Sequence, residues 1–180
     1  MTATEEPSWL VMLVQMPSEP SRHRVAVWRE LRRFGAAPVG QGAWTAPDVP
    51  LCRQGADKAR GLALAGGGQL MVLTTLSGDA DAAKLRILFD AAREDEWSEF
   101  SSDCAKFKDE IASEIAKRKF TLAELEEEEQ SLERLRRWFR ANRSRDVFGG
   151  PLAERAEMDL AACTTDLEEF SGHVYSELHA

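Results

Sequence analysis

The spacing of apolar residues changes once along this 180-residue chain, near residue 79. Before that point, short apolar runs of strand length alternate with two segments of helical period. Beyond it, apolar residues recur at steps of three and four for nearly the whole remaining length. We therefore predict an α+β fold, with one domain at residues 1–78 and an antiparallel bundle of long helices at residues 79–180.

The first domain has the element order of a ferredoxin-like fold. Residues 9–15 are a continuous apolar run that predicts a buried strand, and Ser18-Glu-Pro20 predicts the start of a helix. Two short strands around Gln41, a helix at 51–64 and a strand at 69–76 follow, which gives βαββαβ. The residues expected to face the core from the first helix are Val25, Trp28, Leu31, Arg32 and Phe34.

The glycine run at 66–68 precedes a strand and lies outside any GxxxxGK[ST] or GxGxxG motif. It therefore predicts a turn with positive φ rather than a phosphate loop.

The second domain is predicted to contain amphipathic helices near 80–94, 96–118, 122–142 and 152–177. The third of these has an explicit start, because Thr121-Leu-Ala-Glu124 is a capping box and Phe120 and Leu125 occupy the staple positions around it. Cys104 and Cys163 fall on apolar stripes, which predicts two core thiols.

Charge and cysteine content limit the class of protein. Residues 1–78 hold 8 Lys and Arg against 6 Asp and Glu, whereas residues 79–180 hold 15 against 25, a balance of −10. Such an acidic chain is a poor non-specific binder of phosphate backbones.

Three widely spaced cysteines predict reduced thiols in a cytoplasmic protein. Glu5 and Glu6 stand where a signal peptide needs positive charge, so neither secretion nor a membrane partner is expected.

Two arginine clusters are the basic features of the chain. The first lies on or just before the first helix, and either phosphate or oxyanion binding or salt bridging would explain it. Its members are Arg22, His23, Arg24, Arg29, Arg32 and Arg33. For the second cluster, salt bridging to the many acids nearby is favoured. Its members are Arg134, Arg136, Arg137, Arg140, Arg143 and Arg145.

An acidic run at 124–129 raises the alternative of a carboxylate metal site, with Glu110 and Glu114 facing Glu128 and Glu129. Acids at a helix start also suit the helix dipole, so a solvated face is the favoured interpretation and no metal or other cofactor is predicted. Nucleophile and metalloprotease motifs such as GxSxG and HExxH are missing, and we expect the chain not to be an enzyme.

Two groups of segments resemble the N-terminal domain of the ChrB-type chromate-resistance regulator family. The first group is residues 9–14 (Trp-Leu-Val-Met-Leu-Val), 24–38 and 42–44, and it is also similar to the ferredoxin-like middle domain of phenylacetate-catabolism repressors. The second group is more distinctive: residues 99–111, 119–127, 135–138 (Leu-Arg-Arg-Trp) and 145–149 (Arg-Asp-Val-Phe-Gly). Together they span roughly residues 8 to 175.

The resemblance implies a cytoplasmic, chromate-responsive transcriptional regulator of an efflux operon. Our leading hypothesis is a regulatory module with promoter DNA and the chromate oxyanion as its partners, in which the helical half forms a homodimer or an inter-domain scaffold. Longer family members continue into a second, C-terminal domain, which we expect this chain to lack. Since no helix-turn-helix is recognisable, the alternative is an accessory, protein-interaction module that does not bind DNA. A carboxylate metal or redox site in the helical bundle is the third alternative.

Overall fold

A computed structural model of the chain describes residues 8–75 and 80–179. The elements, in chain order, are β1 (Trp9–Gln15), α1 (Ser21–Arg33), β2 (Ala37–Gly40), β3 (Ala43–Pro47), α2 (Pro50–Ala65), β4 (Gln69–Thr74), α3 (Ala80–Lys117), α4 (Leu122–Arg145) and α5 (Pro151–Leu178). The chain divides into two compact units, one up to Arg93 and one from Glu94 onward. The sequence-based boundary at residue 78 falls earlier, because the first part of α3 packs with the first unit.

The first unit is a four-stranded antiparallel sheet in the order β2-β3-β1-β4, as the βαββαβ pattern predicts for a ferredoxin-like domain. Helices α1 and α2 cover one face, where Met12, Val27 and Leu31 are fully buried with the small residues Ala56 and Ala59. Small residues on α2 let that helix approach closely. Gly55 lies against the Phe34 ring, so that a Cβ there would overlap it.

The opposite face of the sheet is apolar at the β1–β4 pair. Leu13 lies opposite Met71 and Val11 opposite Leu73 across the two antiparallel strands. Leu13, Met71 and Leu73 are exposed, whereas Trp9 at the end of the same face is buried against Phe89 of α3.

The glycine run 66–68 forms the predicted turn between α2 and β4. Gly67 has φ of 74°, and its neighbours lie tightly against the β1–α1 connection, so that a Cβ on Gly68 would overlap the Gln15 carbonyl oxygen. This packing explains the glycines without any phosphate.

Helix α3 is continuous from Ala80 to Lys117, where the sequence predicted two helices. Its buried row passes from Phe89 through Arg93 to Trp97, one turn at each step. Arg93 is only 6% exposed, donates to the Gly35 carbonyl oxygen at 2.9 Å, and places its guanidinium 4.9 Å from the Phe89 ring centre. A charged residue thus continues the apolar row, and the prediction of a break near 95 was wrong.

The second unit contains the rest of α3 with α4 and α5. Aromatic residues fill its core, with the Trp97 and Phe100 rings 6.1 Å apart and both in contact with Phe139. Helix α4 runs antiparallel to α3, since Phe139 near its end packs beside Trp97 near the start of this unit. The antiparallel helical bundle is confirmed.

Helix α4 begins as the capping box predicts. The Thr121 hydroxyl accepts a hydrogen bond from the Glu124 backbone N–H at 3.3 Å, and Phe120 and Leu125 are both partly buried against the core. Cys104 and Cys163 are buried in that core, and all three cysteines are free thiols.

The buried face of α1 differs from the predicted one. Val27 and Leu31 point into the core, whereas Trp28 is 46% exposed and Arg32 is exposed. Val25 is partly buried. The helix is rotated so that Glu30 lies on the buried side, which places Trp28 among the arginines.

Candidate nucleic-acid and oxyanion interface

Helix α1 places its basic residues in two adjacent rows on its outer side. Arg22, Arg29 and Arg33 are spaced seven and four residues apart along one row. Arg24, Trp28 and Arg32 are spaced four apart along the next. All six are exposed except Arg24, which is partly buried. The structure therefore brings the predicted arginine cluster together on one helix surface, which we call the α1 basic face.

Arg33 is the member of this face that is already neutralised. Its guanidinium donates two hydrogen bonds to the buried Glu30 carboxylate, from Nε to Oε2 at 3.0 Å and from Nη2 to Oε1 at 2.6 Å. Lys58 of α2 adds its ammonium at 3.3 Å from Oε2. Although burial raises the pKa of Glu30, the hydrogen bonds and charges of Arg33 and Lys58 outweigh it and hold that pKa below its usual range.

The other arginines of the face have no acidic partner among residues 8–75 and 80–179. Arg22 donates from Nε to His23 Nε2 at 3.5 Å, and Arg24 donates from Nη1 to the Ser18 carbonyl oxygen at 3.4 Å. Arg29 and Arg32 form neither an ion pair nor a side-chain hydrogen bond within those ranges. Their charge is available to an anion from outside.

Trp28 supplies an aromatic surface within this face. Its ring lies 5.9 Å from the Arg24 guanidinium carbon, a cation–π contact. Nearly half of the side chain remains exposed. An exposed indole among arginines can stack on a nucleic-acid base while the arginines contact phosphates.

His23 belongs to this cluster in sequence but is tied to the glycine turn. Its side chain is partly buried, and a Cβ on Gly66 would overlap its Cβ. It is less open to a ligand than the arginines on either side.

The second arginine cluster is only partly neutralised by acids. Arg140 pairs with Glu133 at 3.0 Å, and Arg145 pairs with Glu96 at 3.0 Å. Arg143 donates to the Asp146 carbonyl oxygen at 3.5 Å. Within residues 8–75 and 80–179, the salt bridging favoured from the sequence is thus present at two of these six arginines.

The acidic residues proposed as metal ligands are dispersed. Glu110 and Glu129 are exposed, and Glu114 is paired with Lys117 and Lys119 at 3.1 and 3.2 Å. Glu128 is 6% exposed, and burial, followed by the charges of Glu110, Glu127 and Glu114, raises its pKa to about 7. No group of three or more His, Cys, Asp or Glu side chains in the described part of the chain is arranged to hold a metal ion.

Sequence reasoning did not identify Glu30 and Lys58 as parts of this region. Glu30 stands three residues before Arg33, a spacing that favours an ion pair on a helix, and this was the available signal. The contribution of Lys58 depends on the packing of α2 beside α1, which no local spacing predicts.

Comparison with known proteins decides the family. A family model described as "Protein ChrB, N-terminal" matches residues 24–180. The chain belongs to the ChrB family. The match includes Arg24, Arg29, Arg32 and Arg33 of the α1 basic face, and it covers α3, α4 and α5 completely.

A curated relative, "Protein ChrB" of Cupriavidus metallidurans (strain ATCC 43123 / DSM 2839 / NBRC 102507 / CH34), is 28% identical over 118 residues. The alignment covers 64% of this chain and 36% of the relative, so this ChrB-family chain corresponds to little more than a third of that protein. No solved structure matches the chain significantly.

Within the described ranges, none of the helices is both long and apolar enough to cross a membrane.

Proposed function

We propose that this chain is a chromate-responsive transcriptional regulatory module of a chromate efflux operon, and that its α1 basic face contacts the phosphates of promoter DNA. The observation that supports this most is that Arg22, Arg29 and Arg32 are exposed on one helix without an acidic partner in the described residues. This face is a local concentration of positive charge in a chain of net charge −8.

The chemistry of the face suits a phosphate or another oxyanion. Guanidinium groups donate planar pairs of hydrogen bonds that match phosphate and tetrahedral oxyanions. Arginines spaced along about three helical turns can follow successive phosphates of one strand. Chromate is itself a tetrahedral oxyanion, so it competes with phosphate for the same donors.

An electrophoretic mobility shift with the operon's promoter DNA, with and without chromate, tests this proposal. We expect a shifted complex without chromate and its weakening when chromate is present. The matched variants replace four arginines by glutamine, either Arg22, Arg24, Arg29 and Arg32, or Arg134, Arg136, Arg137 and Arg140. Only the first set is expected to abolish the shift. If purified protein gives no shift in either condition, DNA binding by this chain is excluded.

A cytoplasmic homodimer is part of the proposal. Regulators that bind inverted repeats use a twofold axis, and the exposed apolar residues Leu13, Met71 and Leu73 on the sheet offer a surface that can pair with its own copy. Sedimentation equilibrium measures the assembly, and a mass of one chain at all concentrations would contradict it.

The second candidate function is an accessory module that binds a protein and not DNA. The −10 balance of residues 79–180 supports it, since that half of the chain repels a phosphate backbone. Salt dependence separates the two functions, because phosphate contacts are lost steeply with added salt, whereas a largely apolar protein interface survives it.

A further inference from the structure

Two of the three cysteines form a buried pair between α3 and α5. Cys163 donates from Sγ to the Cys104 carbonyl oxygen at 3.5 Å, which places the two cysteines side by side in the core. Both side chains are nearly inaccessible, with 1% of Cys104 and 0% of Cys163 exposed. The two residues are 59 positions apart in sequence, so their contact is a product of the bundle.

The contact between the two thiols shifts their pKa values in opposite directions. The hydrogen bond from Cys104, helped by the charge of Lys108, lowers the pKa of Cys163, whereas the same bond and burial raise the pKa of Cys104. A thiol that accepts such a hydrogen bond forms a thiolate more readily, and the thiolate is the nucleophile in thiol chemistry.

Cys52 provides an internal comparison. It is equally buried, with 0% exposed, but its sulfur has a backbone carbonyl as its hydrogen-bond partner, at 4.0 Å, and not a second thiol. Burial raises the pKa of Cys52 to about 11, which leaves it as an unreactive core thiol.

A cavity of about 480 Å³ lies on the outer side of Cys104. Its lining includes the serines Ser98, Ser101 and Ser102 and the basic residues Lys108 and Arg155. Asp109 and Asp159 also line it, and Arg155 pairs with Asp159 at 2.9 Å. Lys108 forms no ion pair within residues 80–179, so it is the cation that a bound anion would meet.

We propose that Cys104 and Cys163 form a two-electron redox site, which an oxidising tetrahedral oxyanion of chromium(VI) enters through this cavity and converts to a disulfide. The choice of oxidant rests on the proposed chromate response, whereas the thiol pair stands on its own geometry. The serine hydroxyls and Lys108 hold the oxyanion next to Cys104. Because Cys104 is almost fully buried, side chains at the base of the cavity move aside to admit it.

The reaction balances in two steps. In the first, the Cys104 sulfur bonds to chromium as a chromium-bound oxygen leaves, and that oxygen takes up two protons to depart as water. In the second, the Cys163 sulfur attacks the Cys104 sulfur, the sulfur–chromium bond breaks, and its electron pair stays on chromium. Two thiols and one HCrO₄⁻ thus give one disulfide, one water and HCrO₃⁻, in which chromium(VI) has become chromium(IV).

The disulfide forms once per chain and signals that the chain has met the oxidant. Disulfides in reducing compartments are mostly transient and serve catalysis or redox sensing. A bond about 2 Å long between the sulfurs draws α3 and α5 together at this level. Reduction by cellular thiols restores the pair, so the site reports exposure to the oxidant and resets afterwards.

Thiol mapping of the full chain after chromate treatment tests the proposal. Free thiols are alkylated, and the protein is then digested with trypsin. We expect the free thiols to fall from three to one per chain, with one disulfide joining peptides 94–106 and 156–180. The Cys52 peptide, residues 34–53, stays alkylated.

Variants and a second oxidant complete the test. The variant Cys52→Ala should still form the disulfide, whereas Cys163→Ala should keep Cys104 alkylated, with folding of both checked by circular dichroism. Lys108→Gln should slow the reaction of the wild-type thiols with chromate several-fold, and by a clearly larger factor than it slows oxidation by uncharged hydrogen peroxide, because only chromate also needs the cation for binding. The proposal would be overturned if all three thiols stayed free after chromate treatment, including the case in which hydrogen peroxide forms the disulfide and chromate does not. Since no DNA is present, failure of the DNA-binding proposal leaves this readout intact.

Discussion

The indole Nε1 of Trp97 donates a hydrogen bond to Asp146 Oδ2 at 2.8 Å, and this bond ties α3 to the end of α4. The other carboxylate oxygen of Asp146 accepts from the Gly149 backbone N–H at 2.9 Å, which fixes the turn into α5. Asp146 is 6% exposed and Trp97 2%. The Arg-Asp-Val-Phe-Gly segment that marks the family is therefore a structural junction of three helices.

Replacing Asp146 by alanine tests this junction. Because the buried Trp97 N–H would lose its partner, we expect the free energy of unfolding to fall by about 2 to 4 kcal/mol, measured by urea denaturation followed by circular dichroism. Asp95→Ala is the matched control, since Asp95 is an exposed aspartate in the same unit. Equal stability of the two variants would show that the junction is not important.

Replacing either of the two glycines inside α2 by alanine should change stability, in opposite directions. Gly55→Ala places a methyl group on the Phe34 ring and should cost about 1 to 3 kcal/mol. Among the residues that the structure describes, none would lie within 4 Å of a Cβ on Gly61 apart from the helix's own backbone, so Gly61→Ala should stabilise the helix by about 0.5 to 1 kcal/mol. Thermal unfolding of both variants measures the difference. A loss of stability in Gly61→Ala would contradict the packing described for α2.

Glu128 should make the second unit less stable as the pH rises. Its folded pKa of about 7 lies above its ordinary value of 4.5, so the folded state binds the proton more tightly than the unfolded state. The free energy of unfolding therefore falls as the pH rises from 4.5 to 7. Glu128→Gln removes that loss and should raise the free energy of unfolding at pH 8 by about 1 to 3 kcal/mol, with little change at pH 5.

The control for this prediction is Glu129→Gln, because Glu129 is the exposed neighbour on the same helix. Its substitution should change stability by less than about 0.5 kcal/mol at both pH values. Equal effects of Glu128→Gln at pH 5 and pH 8 would argue against a buried, protonated carboxyl group.

Glu30 should behave in the opposite sense. Its folded pKa is lowered below 4.5, so its contribution to stability is fully present above pH 4.5 and disappears as the pH falls through the folded pKa. Because Arg33 and Lys58 are largely exposed to solvent, Glu30→Gln should cost only about 1 kcal/mol at pH 7. Asp57→Asn, which removes an exposed partner of Arg60, should cost less than half of that. If Glu30→Gln lowered the free energy of unfolding more at pH 3 than at pH 7, that result would contradict a lowered pKa for Glu30.

Local signals in the sequence predicted most of the fold. The apolar run of β1, the glycine turn before β4 and the capping box of α4 each depend on neighbouring residues, and each is confirmed as an element. The prediction that β1 is buried was right for one face only, because Leu13 on the other face is exposed. The continuous α3 was missed because Arg93 takes a place in the buried row that apolar periodicity cannot recognise. The hydrogen bond from Arg93 to the Gly35 carbonyl oxygen, 58 positions away in sequence, offsets the free-energy cost of burying Arg93.

The candidate site was predictable as a set of arginines but not as a surface. Periodicity alone assigned Trp28 and Arg32 to the core, and it could not show that Glu30 replaces them there. The contacts of Lys58 with Glu30 and of Cys163 with Cys104 join different helices, so they follow from tertiary packing alone.

Salt dependence of promoter binding, measured by fluorescence anisotropy, tests whether the α1 basic face contacts the phosphates of DNA. The variant of Arg22, Arg24, Arg29 and Arg32 should bind more weakly, and the slope of log K against log salt concentration should shrink by about 3 to 4. The α4 variant of Arg134, Arg136, Arg137 and Arg140 removes the same charge and should change that slope by less than about 1. Equal slopes for the two variants, or no binding by the wild-type chain, would contradict a DNA-binding role for the α1 basic face.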